Sequence, residues 1–394
     1  MVQIAVSLTF TSFAIYAAMI GLFARAMVAR RRSVAPAMRT EPPASVTIFK
    51  PLAGSDDDLE DNLESFARIE YPSFEILIGV ADRTDPAFAV ARRFLANHPE
   101  LDVRIVITEP HAALNPKVAQ LIGLAEKAKG DVCVISDSNV RVQPGYLASM
   151  VEPLANERVG IVTSLFSGVG EKSIGGALEN LQICAATAPA IAAMAAVTRR
   201  SFTVGKSMAI RRVDLDRIGG FASVGGVLAE DHLLGRRLAD AGFEMRLSGE
   251  VVENWNVRCS VGRTLERHTR WAKLRRSLTP FGFSVEPLLT PIAIASAGAV
   301  MAPTKVMAIV LVAVMAAQMA SALLTVRLLR GRVVWWHGPL EIVRSYVALF
   351  CWIRACSSRR ISWRGHAFRL LRGSAIVPLP SSTAGSPAAE TLTA

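Results

Sequence analysis

The chain has 394 residues, 51% apolar and 20% charged, and its 44 basic side chains outnumber the 33 acidic ones to give a formal charge of +11. So much apolar content with so little charge excludes an intrinsically disordered chain, and the length suits one domain of over roughly 200 residues with added segments, or two modest domains. Five cysteines with no C-x-x-C pair and six histidines with no H-x-x-x-H pair argue against a disulfide framework or a structural zinc site.

Residues 2–24 contain no Asp, Glu, Lys, Arg or His, and a helix of that length, rising about 1.5 Å per residue, reaches across the ~30 Å hydrocarbon core of a bilayer. Arg25, Arg30, Arg31, Arg32 and Arg39 follow it. A cleaved signal carries its positive charge before the apolar run. Here the charge comes after, which predicts an uncleaved anchor over residues 1–40, its N-terminus outside and its arginines in the cytoplasm.

From 41 to 284 short apolar runs alternate with helical patterns. Residues 45–52, 74–82, 103–109 and 131–139 read as buried strands. Leu59, Leu63, Phe66 and Ile69 recur at helical spacing behind a cap at Ser55-Asp56, and Asp85-Pro86 opens the next helix with a cap and an N1 proline. Strand and helix alternating at this spacing predict βαβ units and an α/β domain with a mainly parallel sheet. In such sheets ligands bind beyond the carboxyl ends of the strands, where Asp82 and Asp137 fall.

Apolar character returns at 287–304 and 306–326, two runs separated by little more than Thr304-Lys305. They predict two transmembrane helices over 285–330 with a tight outer turn. Residues 339–356 contain Glu341, Arg344 and Arg354, so an interfacial helix and a third C-terminal crossing both stay open. A short hairpin turning at Gly365 completes 331–373, and the Pro/Ser/Ala/Thr-rich stretch 374–394 reads as a disordered tail.

The positive excess calls for nucleic acid or an anionic membrane, and its placement decides. Residues 25–39 hold five arginines and no acid, and 327–372 hold ten arginines against Glu341, whereas 41–284 hold 28 basic and 30 acidic side chains. The excess flanks the apolar segments, as the positive-inside rule expects. No helix-turn-helix, zinc-finger or RNA-recognition signature occurs, so no nucleic-acid partner is expected. The strand pattern argues against a pure transporter bundle.

Several residues carry chemistry. Asp137-Ser138-Asn139 ends an apolar strand, and a carboxylate followed by small oxygen-bearing residues suits either a turn or a hard divalent cation bridging a diphosphate. Lys117, in Asn115-Pro116-Lys117 before a helix, is either solvated or placed to meet an anion at that helix start. Glu230-Asp231 begins the helix that stops at Gly242; paired acids there serve as caps, or place a base where the Gly225-Gly226 loop closes on substrate. Residues 258–276 carry seven basic side chains against Glu266. They read as a basic amphipathic helix capped by Ser260, in which Arg267 and Arg270 share a face and can clamp a pyrophosphate beside Trp271.

Taken in order, Lys50-Pro51-Leu52 with Gly54, Asn62-Leu63-Glu64, Asp82 with Asp85-Pro86, Asn115-Pro116-Lys117, Asp137-Ser138, Ala229-Glu230-Asp231 and the R-x-x-R-W run from Arg267 to Trp271 resemble the family 2/21 inverting glycosyltransferases. The likeness is greatest to the ceramide glucosyltransferases and covers roughly 45–284. It implies a GT-A fold, Rossmann-like with a mainly parallel sheet, bearing N- and C-terminal transmembrane helices. It also implies transfer of glucose from UDP-glucose to the primary hydroxyl of ceramide. By the same resemblance Asp231 is the catalytic base, and Lys50, Asp82, Lys117 and Asp137 bind the donor. Asp137 would act with a divalent cation (Mg2+ or Mn2+), while Glu230, Arg267, Arg270 and Trp271 line the diphosphate and acceptor channel.

Two departures stand out: Asn139 replaces the second acid of the usual D-x-D, and Ala188-Pro189 stands where animal relatives have His-Pro. The same motifs also fit transfer of GlcNAc or a hexose to a hopanoid or diacylglycerol. A processive polysaccharide synthase fits less well, since Arg267 replaces the glutamine of a Q-x-x-R-W element. A non-catalytic membrane scaffold or transporter would need all the acids to be caps and turns. Residues 183–198 are either a membrane-dipping acceptor face or a buried core helix, and the Ala- and Arg-rich composition suggests a bacterial inner membrane with the catalytic domain in the cytoplasm.

Overall fold

The computed structural model describes residues 1–32, 44–54, 58–109, 111–198, 203–363 and 366–379. The four expected strands form as β1 (Val46–Pro51), β2 (Phe74–Val80), β3 (Val103–Ile107) and β4 (Val132–Ser136). They are joined by β5 (Val140–Arg141), β6 (Val159–Val169), β7 (Ser207–Arg211) and β8 (Glu244–Trp255), which the periodicity did not single out. All eight make one mixed sheet in the order β3-β2-β1-β4-β7-β6-β8-β5. The β1–β2, β1–β4, β2–β3 and β6–β8 pairs are parallel, and β7 runs antiparallel between β4 and β6. The carboxyl ends of β1, β2, β4, β6 and β8 and the start of β7 therefore share one edge. Every residue of β1, β4 and β6 is buried, because helices cover both faces of the central strands.

The connecting helices follow their caps. Asp85 accepts the Ala87 amide at 2.8 Å ahead of Pro86–Asn97, and Asn115 accepts the Lys117 amide at 3.0 Å ahead of Pro116–Ala125. Ser260 caps Val261–Leu278 by accepting the Arg263 amide. The expected cap at Ser55-Asp56 and the turn at Gly365 lie outside the described residues.

The N-terminal helix Val2–Arg32 runs on past residue 24, and its Phe23 and Met27 enter the main core with Ala322, Val326 and Leu329 of helix Lys305–Arg330. By length and composition three helices can cross a membrane: Val2–Arg30, Ile174–Val197 and Lys305–Arg330. The run expected to span at 287–304 instead forms Pro291–Met301, 11 residues bent by 68° from Pro280–Leu289. Eleven residues rise only about 16 Å, so that run crosses only if the bent pair counts as one span. Helix His337–Ser357 holds the three expected charges; Glu341 and Arg344 pair at 2.6 Å in the interior, which offsets part of the cost of burying them.

A second sheet, in the order β11-β10-β9, is built from β9 (Arg360–Trp363), β10 (His366–Leu370) and β11 (Ile376–Pro378). Disorder expected from Ser374 therefore does not begin there. The Ser374 side chain is buried, its carbonyl accepts the Leu228 amide at 2.9 Å and its hydroxyl the Ala229 amide at 3.3 Å. Ile361, Phe368, Leu370 and Ile376 pack with Leu228, and the terminal segment is ordered because it buries apolar surface against the loop leading to Glu230. Residues 380–394 lie outside the described residues.

Candidate active site

At the shared strand edge, Lys117 reaches from its helix start into a cage of acids. Its Nζ lies 2.8 Å from Asp137 Oδ1 and 2.9 Å from Glu230 Oε1, and donates to the Gly205 carbonyl at 3.2 Å. With 8% of the residue exposed, this is not a solvated lysine. Burial alone would lower its pKa, but the Asp137 and Glu230 carboxylates overcome that and raise it. Asp137 is half-buried, which would raise its carboxyl, yet Lys117 and Lys206 hold it well below the usual range.

Glu230 and Asp231 open helix Glu230–Asp240, whose cap residue Ala229 offers no side-chain bond. Neither acid is spent as an N-cap of the ordinary kind. Glu230 is turned to Lys117, with Asn115 Nδ2 donating to its other oxygen at 3.4 Å. Asp231 instead accepts two backbone amides, Gly205 at 2.6 Å and His232 at 2.7 Å. A side chain at Gly205 would crowd it: a Cβ there would meet Asp231 Oδ2 at 3.0 Å. Burial pushes the Asp231 carboxyl up and the Asp137 charge adds to this, while Lys117 opposes it. Glu230 is raised as well, chiefly by burial.

Lys50 sits beneath the cluster, fully buried in β1, donating to the Asp137 carbonyl at 2.7 Å and lying 4.0 Å over the Phe66 ring. It sets the height of the Asp137 turn. Asp82 lies apart, exposed at the end of β2, where one oxygen accepts the Thr84 amide at 2.6 Å and the Asp85 amide at 3.1 Å. Hydrogen bonds from Thr84 lower its pKa. Asp85, besides capping its helix, accepts the Gly54 amide at 2.9 Å, tying the loops after β1 and β2 together.

The R-x-x-R-W element lies on helix Val261–Leu278. Arg267 Nη1 is 3.1 Å from Glu179 Oε1 and donates to Asn256 Oδ1 at 3.1 Å, and His268 Nε2 is 3.1 Å from Glu179 Oε2. Trp271 meets the His268 ring edge-on with centroids 5.1 Å apart. Two consecutive residues at the end of β8 join this element to the carboxylates, since the Trp255 amide donates to the Asn139 carbonyl at 2.9 Å and Asn256 holds Arg267.

The expected cation position has an unexpected tenant. Lys206, just ahead of β7, places its Nζ 3.2 Å from Asp137 Oδ2 and donates to Asn139 Oδ1 at 3.0 Å. Both Asp137 oxygens thus face ammonium groups, and among the described residues no three His, Cys, Asp or Glu side chains gather to hold a metal. A small divalent cation binds through one or two free carboxylates with phosphate and water completing its shell, and here the one carboxylate at the turn is engaged on both oxygens by ammonium groups, a poor fit. Sequence reading passed over Lys206, Glu179 and Asn256. A lysine directly before a buried strand and a lone acid in the apolar segment 174–198 were the available signals.

A parallel-majority sheet whose strand edge carries a lysine–carboxylate cluster, joined to helices long and apolar enough to cross a bilayer, is the frame on which the family match falls: a glycosyltransferase with a GT-A fold. The chain belongs to Glycosyl transferase family 21, whose sequence profile matches residues 9–376. Ceramide glucosyltransferase 3 of Caenorhabditis elegans is 26% identical over 350 residues, 84% of this chain and 74% of that protein. Ceramide glucosyltransferase 1 of the same organism is 29% identical over 248 residues, 62% of this chain and 52% of its own length. Among solved structures, the mannosyltransferase PcManGT from Pyrobaculum calidifontis in complex with GDP-Man and Mn2+ is 20% identical, covers 89% of this chain and 97% of that one, and superposes with a TM-score of 0.49.

Proposed function

We propose that this enzyme moves glucose from UDP-glucose to the primary hydroxyl of ceramide, giving β-glucosylceramide with inversion at the anomeric carbon. The observation that carries the reading is the state of Asp231, a half-buried carboxylate held by two backbone amides and, among the described residues, paired with no cation, beside a cluster in which the other acids are neutralised by lysines. The acceptor hydroxyl is too weakly acidic to attack unaided. Asp231 takes its proton as the oxygen bonds to the anomeric carbon, the bond from that carbon to the phosphate oxygen breaks, and UDP leaves with the electron pair. A raised carboxyl pKa suits a general base, because its driving force grows as its pKa nears the working pH.

In this reading Lys117 stabilises the charge that develops on the diphosphate, a preorganised electrostatic contribution. Asp82 meets the uracil or ribose, Lys50 holds the Asp137 turn at its height, and Glu230 keeps Lys117 aimed. Arg267, Arg270 and Trp271 close over the diphosphate and the acceptor channel. The names of the relatives support ceramide as the acceptor, and an apolar cavity of about 240 Å³ supports entry of a lipid from the bilayer. It lies between the anchor helix and the R-x-x-R-W helix and is lined by Tyr16, Ala190, Thr264, His268, Arg344 and Trp352 among others. The arginines after the anchor support a catalytic domain facing the cytoplasm, and the Ala- and Arg-rich composition supports a bacterial inner membrane.

Lipids from a host expressing the chain, separated and identified by mass spectrometry with ceramide supplied, test the reading. A new hexosylceramide is expected, with UDP released from UDP-glucose only when ceramide is present. The variant Asp231→Asn should bind UDP and make no product. A glycosylated hopanoid or diacylglycerol in place of hexosylceramide would reassign the acceptor, and normal turnover by Asp231→Asn would remove the base.

A further inference from the structure

The D-x-N turn after β4 and the lysine ahead of β7 form a unit that the reading above leaves unused. Lys206 is bound to the turn twice: its carbonyl accepts the Asp137 amide at 3.2 Å, and its ammonium lies between Asp137 Oδ2 at 3.2 Å and Asn139 Oδ1 at 3.0 Å. One side-chain oxygen from each of Asp137 and Asn139 thus faces the same positive charge, with 16% of the Lys206 side chain exposed. The backbone behind it is equally committed. Gly205 gives its amide to Asp231 and its carbonyl to Lys117. Residues 205–206 therefore fix, from one point of the chain, the base, the buried lysine and the turn.

An amide oxygen at 139 fits an ammonium. A second carboxylate there would bring a further negative charge to a site that already holds Asp137, Glu230 and Asp231, and would suit a divalent ion better than a single lysine. With asparagine, one ammonium satisfies the turn, and Lys117 and Lys206 stand against the carboxylates of Asp137, Glu230 and Asp231 without a fourth acid to add to them. Lys206 keeps donor capacity as well, since an ammonium has three hydrogens and the two contacts use two.

We propose that Lys206 is a diphosphate-binding residue of this enzyme, its ammonium standing where a divalent cation would bridge an acidic D-x-D pair, so that UDP is bound without a metal. The proposal rests on the reading of the chain as a UDP-sugar transferase. Its remaining hydrogen meets a diphosphate oxygen, and Asp137 and Asn139 act as the brackets that hold it there.

The test is UDP binding to the full-length protein in detergent, measured calorimetrically with EDTA and again with excess Mn2+, alongside the electron paramagnetic resonance signal of added Mn2+. Wild-type protein is expected to bind UDP in EDTA with an affinity within about threefold of that in Mn2+, and to leave the free Mn2+ signal unchanged when no nucleotide is present. Lys206→Met should weaken binding in EDTA about tenfold or more, the scale of one charge-assisted hydrogen bond, while Lys206→Arg keeps most of it. The pair Lys206→Met with Asn139→Asp should regain UDP binding only when Mn2+ is added, and should quench the Mn2+ signal. Loss of wild-type binding in EDTA, or equal affinity of Lys206→Met and wild type in EDTA, overturns the proposal. UDP binding by no variant under either condition would instead sink the donor assignment itself, and this proposal with it.

Discussion

Asp231 Oδ2 accepts the Gly205 amide at 2.6 Å, and a Cβ added at Gly205 would lie 3.0 Å from that same oxygen. The base is thus held by a backbone group that approaches closely because nothing projects from its α-carbon. Gly205→Ala is expected to push the carboxylate aside by a few tenths of an ångström. Small misplacements of a reacting group cost rate steeply, so kcat should fall about tenfold while UDP affinity, read by calorimetry, stays as it was. A parallel loss of UDP affinity would mean that the loop, and not the base, had moved.

The acid side of the pH profile follows from the same residue. Burial raises the Asp231 carboxyl above its ordinary value near ~3.9, with Lys117 opposing the rise. A base works deprotonated, so kcat/KM should climb with pH through the raised value. The acid limb then sits higher than an exposed aspartate would give. Lys117→Met removes the opposing charge and should move that limb further up while lowering the maximal rate. A limb that stays fixed in Lys117→Met would separate Asp231 from the titration.

Much of this arrangement was legible in the sequence. β1 to β4 are uniformly apolar runs ended by polar residues, and Asp85-Pro86 and Asn115-Pro116 announce their helices by caps that the structure shows bonded. β8 was not legible, because its twelve residues alternate between buried and half-buried and carry four acids or bases before Trp255, a pattern without an apolar run. Lys117, Asp137 and Glu230 could be named from their motifs, but their union could not, since it depends on the antiparallel entry of β7 beside β4. Lys206 was hidden for the same reason. Only that pairing brings a lysine from far along the chain to the D-x-N turn.

Glu179 illustrates a residue whose role only packing reveals. It is fully buried and faces Arg267 at 3.1 Å and His268 at 3.1 Å. It is a positioning residue for the R-x-x-R-W helix, so Glu179→Gln should reduce kcat/KM for UDP-glucose about tenfold. A double-mutant cycle with Arg267→Gln distinguishes this from general loosening. Groups in one network couple by about 0.5–3 kcal/mol, and the two changes should therefore add far less than independently. Strict additivity would detach Glu179 from Arg267 in function.

Glu171 and Arg330 join the two halves of the molecule. Glu171 follows the end of β6, Arg330 closes the helix Lys305–Arg330, and they meet at 2.7 Å with side chains 10% and 2% exposed. His337 stands 3.2 Å from the same carboxylate, and Asn180 Nδ2 donates to it at 2.8 Å. Removing one partner of a buried pair strands the other charge, at a cost of about 3–5 kcal/mol. Arg330→Met should therefore lower the thermal unfolding midpoint in detergent markedly. Combining it with Glu171→Gln should restore part of the loss, because no uncompensated charge remains. The same pair ties the end of β6 to a helix long and apolar enough to cross a membrane, so Arg330→Met is also expected to raise KM for the lipid acceptor more than KM for UDP-glucose. Equal rises for both substrates would show that the pair stabilises the fold without orienting the domain toward the membrane.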